Sequence, residues 1–323
     1  MFQTPILLIT FNRPEHTLRV LEEIKKQKPA CLFVFQDAPR HGHPTDSENC
    51  STVRAILNEP LDWDCDLRTF YPESNLGCGK GPASAISWFF EQVEMGIIFE
   101  DDCLPHSDFF PFCEQLLLKY KNDQRISFIG GSSFQNSKQP KDESYYFGSG
   151  SYGTWGWASW SRTWQYFDYT LEKIDKEIMK SMINRYFKDA RQRDFWMEIF
   201  ENVKENRYKE TCWDYQYYFS CWQRDMVAVL PYRNLITNIG YDQEGTHTFS
   251  ADHPAANLTT ESIFPLKFPL SVKLNIKADF YVFRNYTLSY EYGFSGLKRF
   301  PFRINKKLKI LMNHQGPWLS KKK

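Results

Sequence analysis

The sequence lacks several features that would assign it to a common class. It has no run of about 18 uncharged apolar residues, so it predicts no membrane-spanning helix. Its first residues, MFQTPILLIT, lack the basic start and cleavage site of a signal peptide, and we interpret them as a strand. None of its eight cysteines forms a CxxC pair, which excludes a zinc ribbon and favours reduced thiols. We therefore expect a cytoplasmic protein, with the inner face of the membrane as the alternative location.

Net charge is also nearly absent. The 40 Lys and Arg residues against 39 Asp and Glu residues leave +1, which argues against nucleic acid as a partner. The exception is the C-terminus, where no acidic residue follows Glu291 and basic residues recur among Phe, Leu, Ile and Trp. Such a mixture can make peripheral contact with an anionic membrane, and a solvated helix face is the alternative.

Strand-like and helical patterns alternate along the first part of the chain. Apolar runs predict strands at 5–10, 31–36, 67–71, 96–100 and 126–130, and helical periodicity predicts helices at 14–27, 46–58, 82–94 and 105–122. This alternation indicates βαβ units, so we expect an α/β fold with a mostly parallel sheet flanked by helices. The other expected elements are a Gly-bearing loop at 72–81, aromatic-rich turns at 148–164, helices at about 170–206 and 213–225, and a strand at 227–231.

The carboxyl ends of the first four predicted strands carry the polar segments TFNRP, QDAPR, PESNLG and EDD. Ligands of open α/β sheets bind at this edge. Glu100, Asp101 and Asp102 place three carboxylates directly after a buried strand, where like charges repel. A cation such as Mn²⁺ or Mg²⁺ would relieve this repulsion, and it would leave coordination positions for phosphates. The alternative is a solvated turn that caps the next helix.

Five segments together resemble a known family: PILLITFNRPEHTLRVLEEI, FVFQDAPR, SNLGCGKG, IIFEDDCLPHSDFFPFCEQLLLKY and GWASWSRTW. They are similar to nucleotide-diphospho-sugar transferases of the GT-A fold, in the branch around N-acetylglucosaminyltransferase I and its bacterial relatives. The resemblance covers about residues 4–250. It implies a GT-A, Rossmann-like domain at 1–250, with a nucleotide-sugar-binding half at 1–122 and an acceptor half at 123–250. A C-terminal extension with a basic tail follows at 251–323.

The resemblance implies a metal-dependent, inverting glycosyltransferase. It would move a sugar from a nucleotide-diphospho-sugar donor, with UDP favoured, to a glycan or lipid-linked glycan acceptor in surface polysaccharide synthesis. By position, Asp102 would bind Mn²⁺ or Mg²⁺. The residues that would contact the nucleotide, its ribose or the sugar are Thr10, Phe11, Arg13, Glu100 and Asp101.

The ends of the second and third strands complete the implied donor site. Asp37 would accept a hydrogen bond from the imide N–H of uracil or thymine, although an aspartate here can also cap its own loop. Asn75, Gly77 and Lys80 would line the nucleotide, because glycine permits close backbone approach and lysine offers a cation to phosphate. A solvated loop lysine is the alternative for Lys80.

Direct displacement at an anomeric carbon needs a base that deprotonates the acceptor hydroxyl. Asp214, in CWDYQYYFSCW, stands at the start of an apparent helix among aromatic residues, which can raise the pKa of a carboxyl group. The resembled family has a Trp-Asp pair at about this point. The alternative is an N-cap, and Asp225, Asp242 and Glu244 are rival bases.

Two Gly-bearing segments supply further candidates. In GTWGWASW, Trp155 and Trp157 would stack on sugar faces while Gly153 and Gly156 admit the donor, with core packing as the alternative for the tryptophans. His247, in EGTHT, would contact the diphosphate or the metal, unless it is an ordinary loop residue.

Two other function classes stay open. A nucleotidyltransferase that makes sugar nucleotides would carry a Gly-rich basic loop after the first strand, and FNRPEHT contains no Gly. A non-catalytic carbohydrate-binding protein with a structural metal would suit the aromatic content of 17%, but not a parallel sheet with this polar edge.

Overall fold

The computed structural model describes residues 1–135, 140, 142–205, 212–241, 255–256 and 258–291. The strands in them are β1 (Ile6–Thr10), β2 (Cys31–Gln36), β3 (Asp66–Phe70), β4 (Met95–Glu100), β5 (Cys103–Pro105), β6 (Ile126–Gly130), β7 (Tyr145–Gly148), β8 (Trp157–Trp160), β9 (Val227–Pro231) and β10 (Ile236–Asn238). The helices are α1 (Pro14–Gln27), α2 (Asp46–Leu57), α3 (Gly77–Phe90), α4 (Phe109–Lys119), α5 (Ser161–Trp164), α6 (Lys176–Tyr186), α7 (Ala190–Lys204), α8 (Asp214–Gln223) and α9 (Ile276–Val282). A π-helix, Phe283–Glu291, continues directly from α9.

One large sheet contains 8 strands in the order β3-β2-β1-β4-β8-β6-β9-β7. Neighbouring strands are parallel from β3 to β4 and between β6 and β9. In contrast, β8 runs antiparallel between β4 and β6, and β7 runs antiparallel at the edge. All strands of this sheet except β7 and β8 therefore point in one direction, which confirms the expected mostly parallel α/β fold. A small antiparallel sheet pairs β10 with β5.

The central strands read as continuous apolar runs because both of their faces are buried. Every residue of β1 is buried, and so is β4 from Gly96 to Phe99. Helix α1 opens with Pro14 at its first turn and turns Val20, Leu21 and Ile24 towards the core. This part of the fold agrees closely with the sequence pattern.

Helix α3 begins earlier than the sequence predicts. The expected loop at 72–81 is wrong in its second half, since residues from Gly77 onward are helical. Asp37, at the end of β2, accepts hydrogen bonds from the backbone N–H groups of Leu76 (2.9 Å) and Gly77 (2.9 Å). Because this cap comes from a residue distant in sequence, no local capping pattern indicates where the helix starts.

The aromatic segment 148–164 contains a strand that the sequence analysis does not predict. Strand β8 pairs with both β4 and β6, so a segment expected to form turns supplies a central strand. The helical stretch expected at about 170–206 consists of two helices, α6 and α7. The Asp189 side chain caps the second by accepting from Arg191 N and Gln192 N.

Residues 258–291 belong to the expected C-terminal extension and pack on the large sheet. Asp279 Oδ2 accepts from the backbone N–H of Ser149 at 2.8 Å, and Asn275 N donates to Phe147 O at 2.7 Å. The division of the chain at 122 and 250 stays a prediction.

All eight cysteines are free thiols. Within the residues that the structure describes, no helix combines the length and the apolar character that a membrane span requires.

Candidate functional site

Three carboxylates follow β4 and lie beside the loop that follows β1, because these adjacent parallel strands end at the same edge. The backbone N–H of Phe11 donates to Asp101 Oδ2 at 3.3 Å. Arg13 Nη1 lies 3.2 Å from Asp102 Oδ2 and 3.8 Å from Asp101 Oδ1. The structure therefore brings together the predicted residues of two strand ends.

Charge compensation in this acidic cluster is incomplete. Burial raises the pKa of Glu100, and the charges of Asp102, Asp101 and Asp214 raise it further. Burial also raises the pKa of Asp101, against the lowering effect of Arg13. Among the described residues no group donates a hydrogen bond to the Glu100 carboxylate, although the residue is only partly exposed. An acid in this state indicates a place where a cation or a ligand donor would be stabilising.

Asp214, the first residue of α8, belongs to the same cluster, because its charge contributes to the raised pKa of Glu100. One turn later, the buried Tyr218 shares a hydrogen bond of 2.9 Å with Thr154 Oγ1. Burial raises the pKa of Tyr218, and the charges of Asp214 and Glu100 raise it further. The sequence analysis missed Tyr218 and Thr154; the spacing of Tyr218 from Asp214 on one helix face was the available signal.

Asp37 organises the loop that leads into α3. One carboxylate oxygen accepts from Ala38 N and Leu76 N, both at 2.9 Å. The other accepts from Asn75 Nδ2 (3.1 Å) and Gly77 N (2.9 Å). These contacts match the loop-capping alternative, and recognition of a base by Asp37 stays a prediction.

Thr10 and Lys80 differ in what they can offer a ligand. Thr10 is buried, its Oγ1 donates to Phe35 O (2.9 Å) and its carbonyl oxygen accepts from Asp37 N (3.1 Å). Lys80 is exposed on the first turns of α3, so its ammonium group is accessible to a phosphate.

Asp46 is a residue of this edge that the sequence analysis missed. Its fully buried carboxylate accepts from Arg40 Nε (2.6 Å) and Asn12 Nδ2 (2.8 Å), and His43 Nδ1 lies at 2.8 Å. Hydrogen bonds from Arg40 lower the pKa of Asp46 to about 2. Asp46 therefore joins the loop after β1 to the loop after β2, and its place in the first turn of α2 was the only sequence signal.

Strand β10 brings backbone against Asp102. Ile239 N donates to Asp102 O at 2.8 Å, and a Cβ added to Gly240 would lie 2.3 Å from Asp102 Oδ2. His16 Nε2 lies 3.0 Å from Ile239 O, which ties α1 to the same segment. Any larger residue at position 240 would therefore displace the Asp102 carboxylate.

The other expected site residues are distributed unevenly. His247, Asp242 and Glu244 lie outside the described residues. Asp225 follows the opposite end of α8 from Asp214, and its Oδ1 lies 2.9 Å from Arg185 Nε, so it does not join the acidic cluster.

The two candidate tryptophans of the aromatic segment differ in exposure: Trp157 lies in the core and Trp155 is partly exposed. Trp157 is 1% exposed and stacks on Trp213 with ring centroids 5.6 Å apart. It therefore has no free face for a sugar and matches the core-packing alternative. Trp155 is half-buried and packs against Phe134 and Tyr241.

Protein packing also explains the two glycines beside these rings. A Cβ on Gly153 would lie 2.9 Å from Leu230, and one on Gly156 would lie 2.5 Å from Ile236. Their predicted contact with a donor has no support from this packing.

The acidic cluster offers carboxylate oxygens, the type of donor that a hard divalent cation prefers. Within the described ranges, no group of three or more His, Cys, Asp or Glu residues is arranged to hold a metal ion. Both Asp102 oxygens have protein partners, Arg13 Nη1 at Oδ2 (3.2 Å) and Cys103 Sγ at Oδ1 (3.4 Å), so a cation at Asp102 would compete with these contacts. It would take one or two carboxylates and complete its coordination with phosphate and water. The raised pKa values of Glu100 and Asp101 show that added positive charge would stabilise their ionised forms.

Comparisons with known proteins give structural similarities only. No protein-family model matches the chain, and no curated protein sequence matches it. S. aureus TarS 1-349 is similar over 72% of this chain and 59% of that chain, with 11% identity and a TM-score of 0.38. HddC from Yersinia pseudotuberculosis is similar over 50% of this chain and 78% of that chain, with 8% identity and a TM-score of 0.30. 4-Diphosphocytidyl-2C-methyl-D-erythritol synthase from Anaerococcus prevotii DSM 20548 is similar over 61% of this chain and 84% of that chain, with 11% identity and a TM-score of 0.27.

This chain therefore spans less than two thirds of the TarS structure that it matches. Identities and TM-scores of this size carry no information about activity.

Proposed function

We propose that this protein is a glycosyltransferase that uses a nucleotide-diphospho-sugar donor and a divalent cation. The observation that supports the proposal most is the acidic cluster at the carboxyl end of β4. There the Glu100 carboxylate accepts no hydrogen bond within the described residues and interacts electrostatically with Asp214 on another element. Burial and neighbouring carboxylates disfavour the ionised form of Glu100, so a ligand that brings cationic charge or hydrogen-bond donors would be stabilising here.

The reaction would be a single displacement that inverts the anomeric carbon. Asp214 would accept the proton of the acceptor hydroxyl while the hydroxyl oxygen bonds to the anomeric carbon. At the same time the bond from that carbon to the diphosphate would break. A cation at Asp102 would neutralise charge on the leaving diphosphate.

The remaining residues of the edge would bind the donor. Phe11 and Arg13 would contact the nucleotide from the end of β1, and Lys80 would approach a phosphate from α3. Glu100 and Asp101 would contact hydroxyl groups of the sugar or ribose. Trp155 is the partly exposed ring on which a glycan acceptor could stack. The UDP-type donor and the surface-glycan acceptor rest on the resemblance described above.

A thermal-shift screen of the full chain with UDP, GDP, CMP and dTDP, each with and without Mn²⁺, tests the proposal. At a nucleotide concentration about 100 times Kd, binding raises stability by about 2.7 kcal/mol, which corresponds to a rise in Tm of about 4 °C for a chain of this size. We expect this rise for one nucleotide class and only with Mn²⁺.

Three variants assign the roles. Asp102→Asn should abolish the Mn²⁺-dependent rise in Tm. Asp214→Asn should keep the rise but lose acceptor-dependent release of the nucleoside diphosphate from its sugar donor. Asp62→Asn removes an exposed carboxylate that lies 3.3 Å from Lys28, and it should change neither readout.

The proposal is wrong if no nucleotide shifts Tm in the presence of Mn²⁺, or if Asp102→Asn binds as the wild type does. Release of pyrophosphate from a nucleoside triphosphate and a sugar phosphate would instead identify a nucleotidyltransferase.

A further inference from the structure

A second surface, remote from the acidic cluster, has a distinct composition. The chain from Lys267 to Leu274 runs beside the edge strand β7 and is hydrogen-bonded at both ends to β7 or to Ser144, which precedes it. Lys267 N donates to Ser144 Oγ (2.9 Å), and Ser144 N donates to Lys267 O (2.8 Å). Leu274 bridges to Phe147, whose carbonyl oxygen accepts from Asn275 N at 2.7 Å. The segment is longer than the part of β7 between these two points, so its middle residues project from the sheet edge.

The projecting residues are apolar and unusually exposed. Leu270 is 104% exposed and lies at the bend of the segment, and Phe268 is 44% exposed. Leu118, near the end of α4, is 59% exposed, and its neighbour Lys119 places Nζ 4.6 Å from the centroid of the Phe268 ring. We call Leu118, Phe268 and Leu270 the edge tip. The Phe268 ring also meets the Tyr145 ring edge-on, with centroids 6.2 Å apart, so Leu270 is the one fully exposed member of the edge tip. Large apolar side chains exposed to this extent indicate an interaction surface.

Positive charge surrounds the edge tip. Lys119, Lys267 and Lys273 are exposed around it, and no acidic residue occurs between Glu261 and Asp279 in the sequence. Two acids, the exposed Asp142 and the partly exposed Glu143, precede Ser144 and partly offset this charge. Apolar side chains with flanking lysines match the chemistry of an anionic lipid surface, where the apolar tips enter the acyl boundary and the ammonium groups meet phosphates.

We propose that the edge tip docks the protein on an anionic lipid bilayer. A protein partner would require about 800 Å² from this side, which a few projecting side chains do not provide. A bilayer has no such requirement, since single apolar side chains insert independently and their binding adds to the electrostatic attraction.

This docking would leave the acidic cluster accessible. Strand β7 is the outermost strand on its side and lies four positions from β4 in the sheet, or about 20 Å at the usual strand spacing. The inference is independent of the proposed function, because it uses none of the residues assigned to the donor site.

Co-sedimentation of the full chain with vesicles tests the inference. We expect binding to phosphatidylcholine vesicles that contain about 30% phosphatidylglycerol, and much weaker binding to phosphatidylcholine alone. The double variant Phe268→Ser/Leu270→Ser should lower the apparent affinity about tenfold or more, because two apolar side chains no longer leave water. The basic tail is intact in both proteins, so the difference reports the edge tip alone.

Two controls complete the design. Leu67→Ser removes a leucine that is 37% exposed on β3, at the opposite sheet edge, and it should bind as the wild type does. Lys119→Gln/Lys273→Gln should weaken binding at about 0.1 M salt and have little effect at about 1 M, because salt screens exposed charges.

Unchanged binding of the double serine variant would overturn the inference, as would equal binding of the wild type to neutral vesicles or no binding at all. Light scattering that shows a wild-type dimer and a monomeric double variant would assign the edge tip to a second copy of the chain instead.

Discussion

Asp46 and Glu100 lie at the same edge of the sheet, but the protein satisfies their carboxylates to very different extents. Asp46 accepts from Arg40 and Asn12, and its pKa is lowered to about 2 by the hydrogen bonds from Arg40. Glu100 accepts no hydrogen bond within the described residues, and burial together with neighbouring acids raises its pKa. The first acid joins two loops, whereas no described residue donates a hydrogen bond to the carboxylate of the second.

Asp279 stands between these two cases. It accepts one backbone hydrogen bond from Ser149, yet burial dominates and raises its pKa to about 7. A single backbone hydrogen bond therefore does not offset burial, and the protonated form of Asp279 is favoured up to about pH 7. The charged Arg40 side chain outweighs burial at Asp46 and lowers its pKa. Burial dominates at Asp279 and Glu100, as it does at Asp37, whose pKa is raised despite its backbone hydrogen bonds.

Removal of Asp46 should have the largest effect on stability. Asp46→Ala leaves Arg40 and Asn12 without their buried acceptor, so we expect the free energy of unfolding to fall by about 3 kcal/mol in urea titrations. Because the folded pKa is lowered, this contribution is present above about pH 4 and is lost as pH falls through about 2. Asp66→Ala, at an exposed pair with Arg68, should lower the free energy of unfolding far less, because solvent screens an exposed ion pair. Equal losses in the free energy of unfolding for Asp46→Ala and Asp66→Ala would contradict the special role of the buried Asp46 carboxylate.

Asp279→Asn should have a smaller effect of the opposite sign. The folded pKa of Asp279 is raised to about 7, so its contribution is fully present below about pH 4 and is lost as pH rises through about 7. Asn resembles the protonated acid and can still accept from Ser149 N. We expect a gain of about 1 to 2 kcal/mol at about pH 8 and none at about pH 4, measured by urea titration at both values. A gain that is independent of pH would refute this account.

Glu100→Gln should have the smallest effect on the ligand-free protein. Removal of one charge from the acidic cluster relieves repulsion, so we expect a gain of about 1 kcal/mol at about pH 8 by urea titration. Its raised folded pKa means that the gain should shrink as pH falls and the acid becomes protonated. The matched change Glu91→Gln, at the exposed end of α3, should be neutral. A loss of stability in Glu100→Gln would show that the carboxylate has a structural role.

The predicted parts of the fold are those whose signals are local. Strands β1, β2 and β4 are recognisable because burial on both faces makes them continuous apolar runs, and α1 because its apolar residues repeat at helical spacing. The sequence does not indicate β8, because WASW is short and contains Ser159, which donates its hydroxyl to the Ser127 carbonyl inside the sheet. The start of α3 is hidden because its cap, Asp37, lies on another strand.

The same distinction applies to the candidate site. Glu100, Asp101 and Asp102 are recognisable because three acids follow an apolar run, and Arg13 because it follows the neighbouring strand. The role of Asp46 depends on donors from two separate loops, and that of Tyr218 depends on Thr154 in the aromatic segment. Contacts of this kind depend on tertiary packing, which one sequence does not encode as a spacing.

The position of β8 has a consequence during synthesis of the chain. Met95–Ile98 of β4 pairs with β8, so this edge of the first four strands stays open until residue 160 has left the ribosome. Open apolar strand edges recruit other chains. A fragment that ends at residue 122 would keep that edge permanently, so it would be prone to aggregate even though each of its four parallel strands is present.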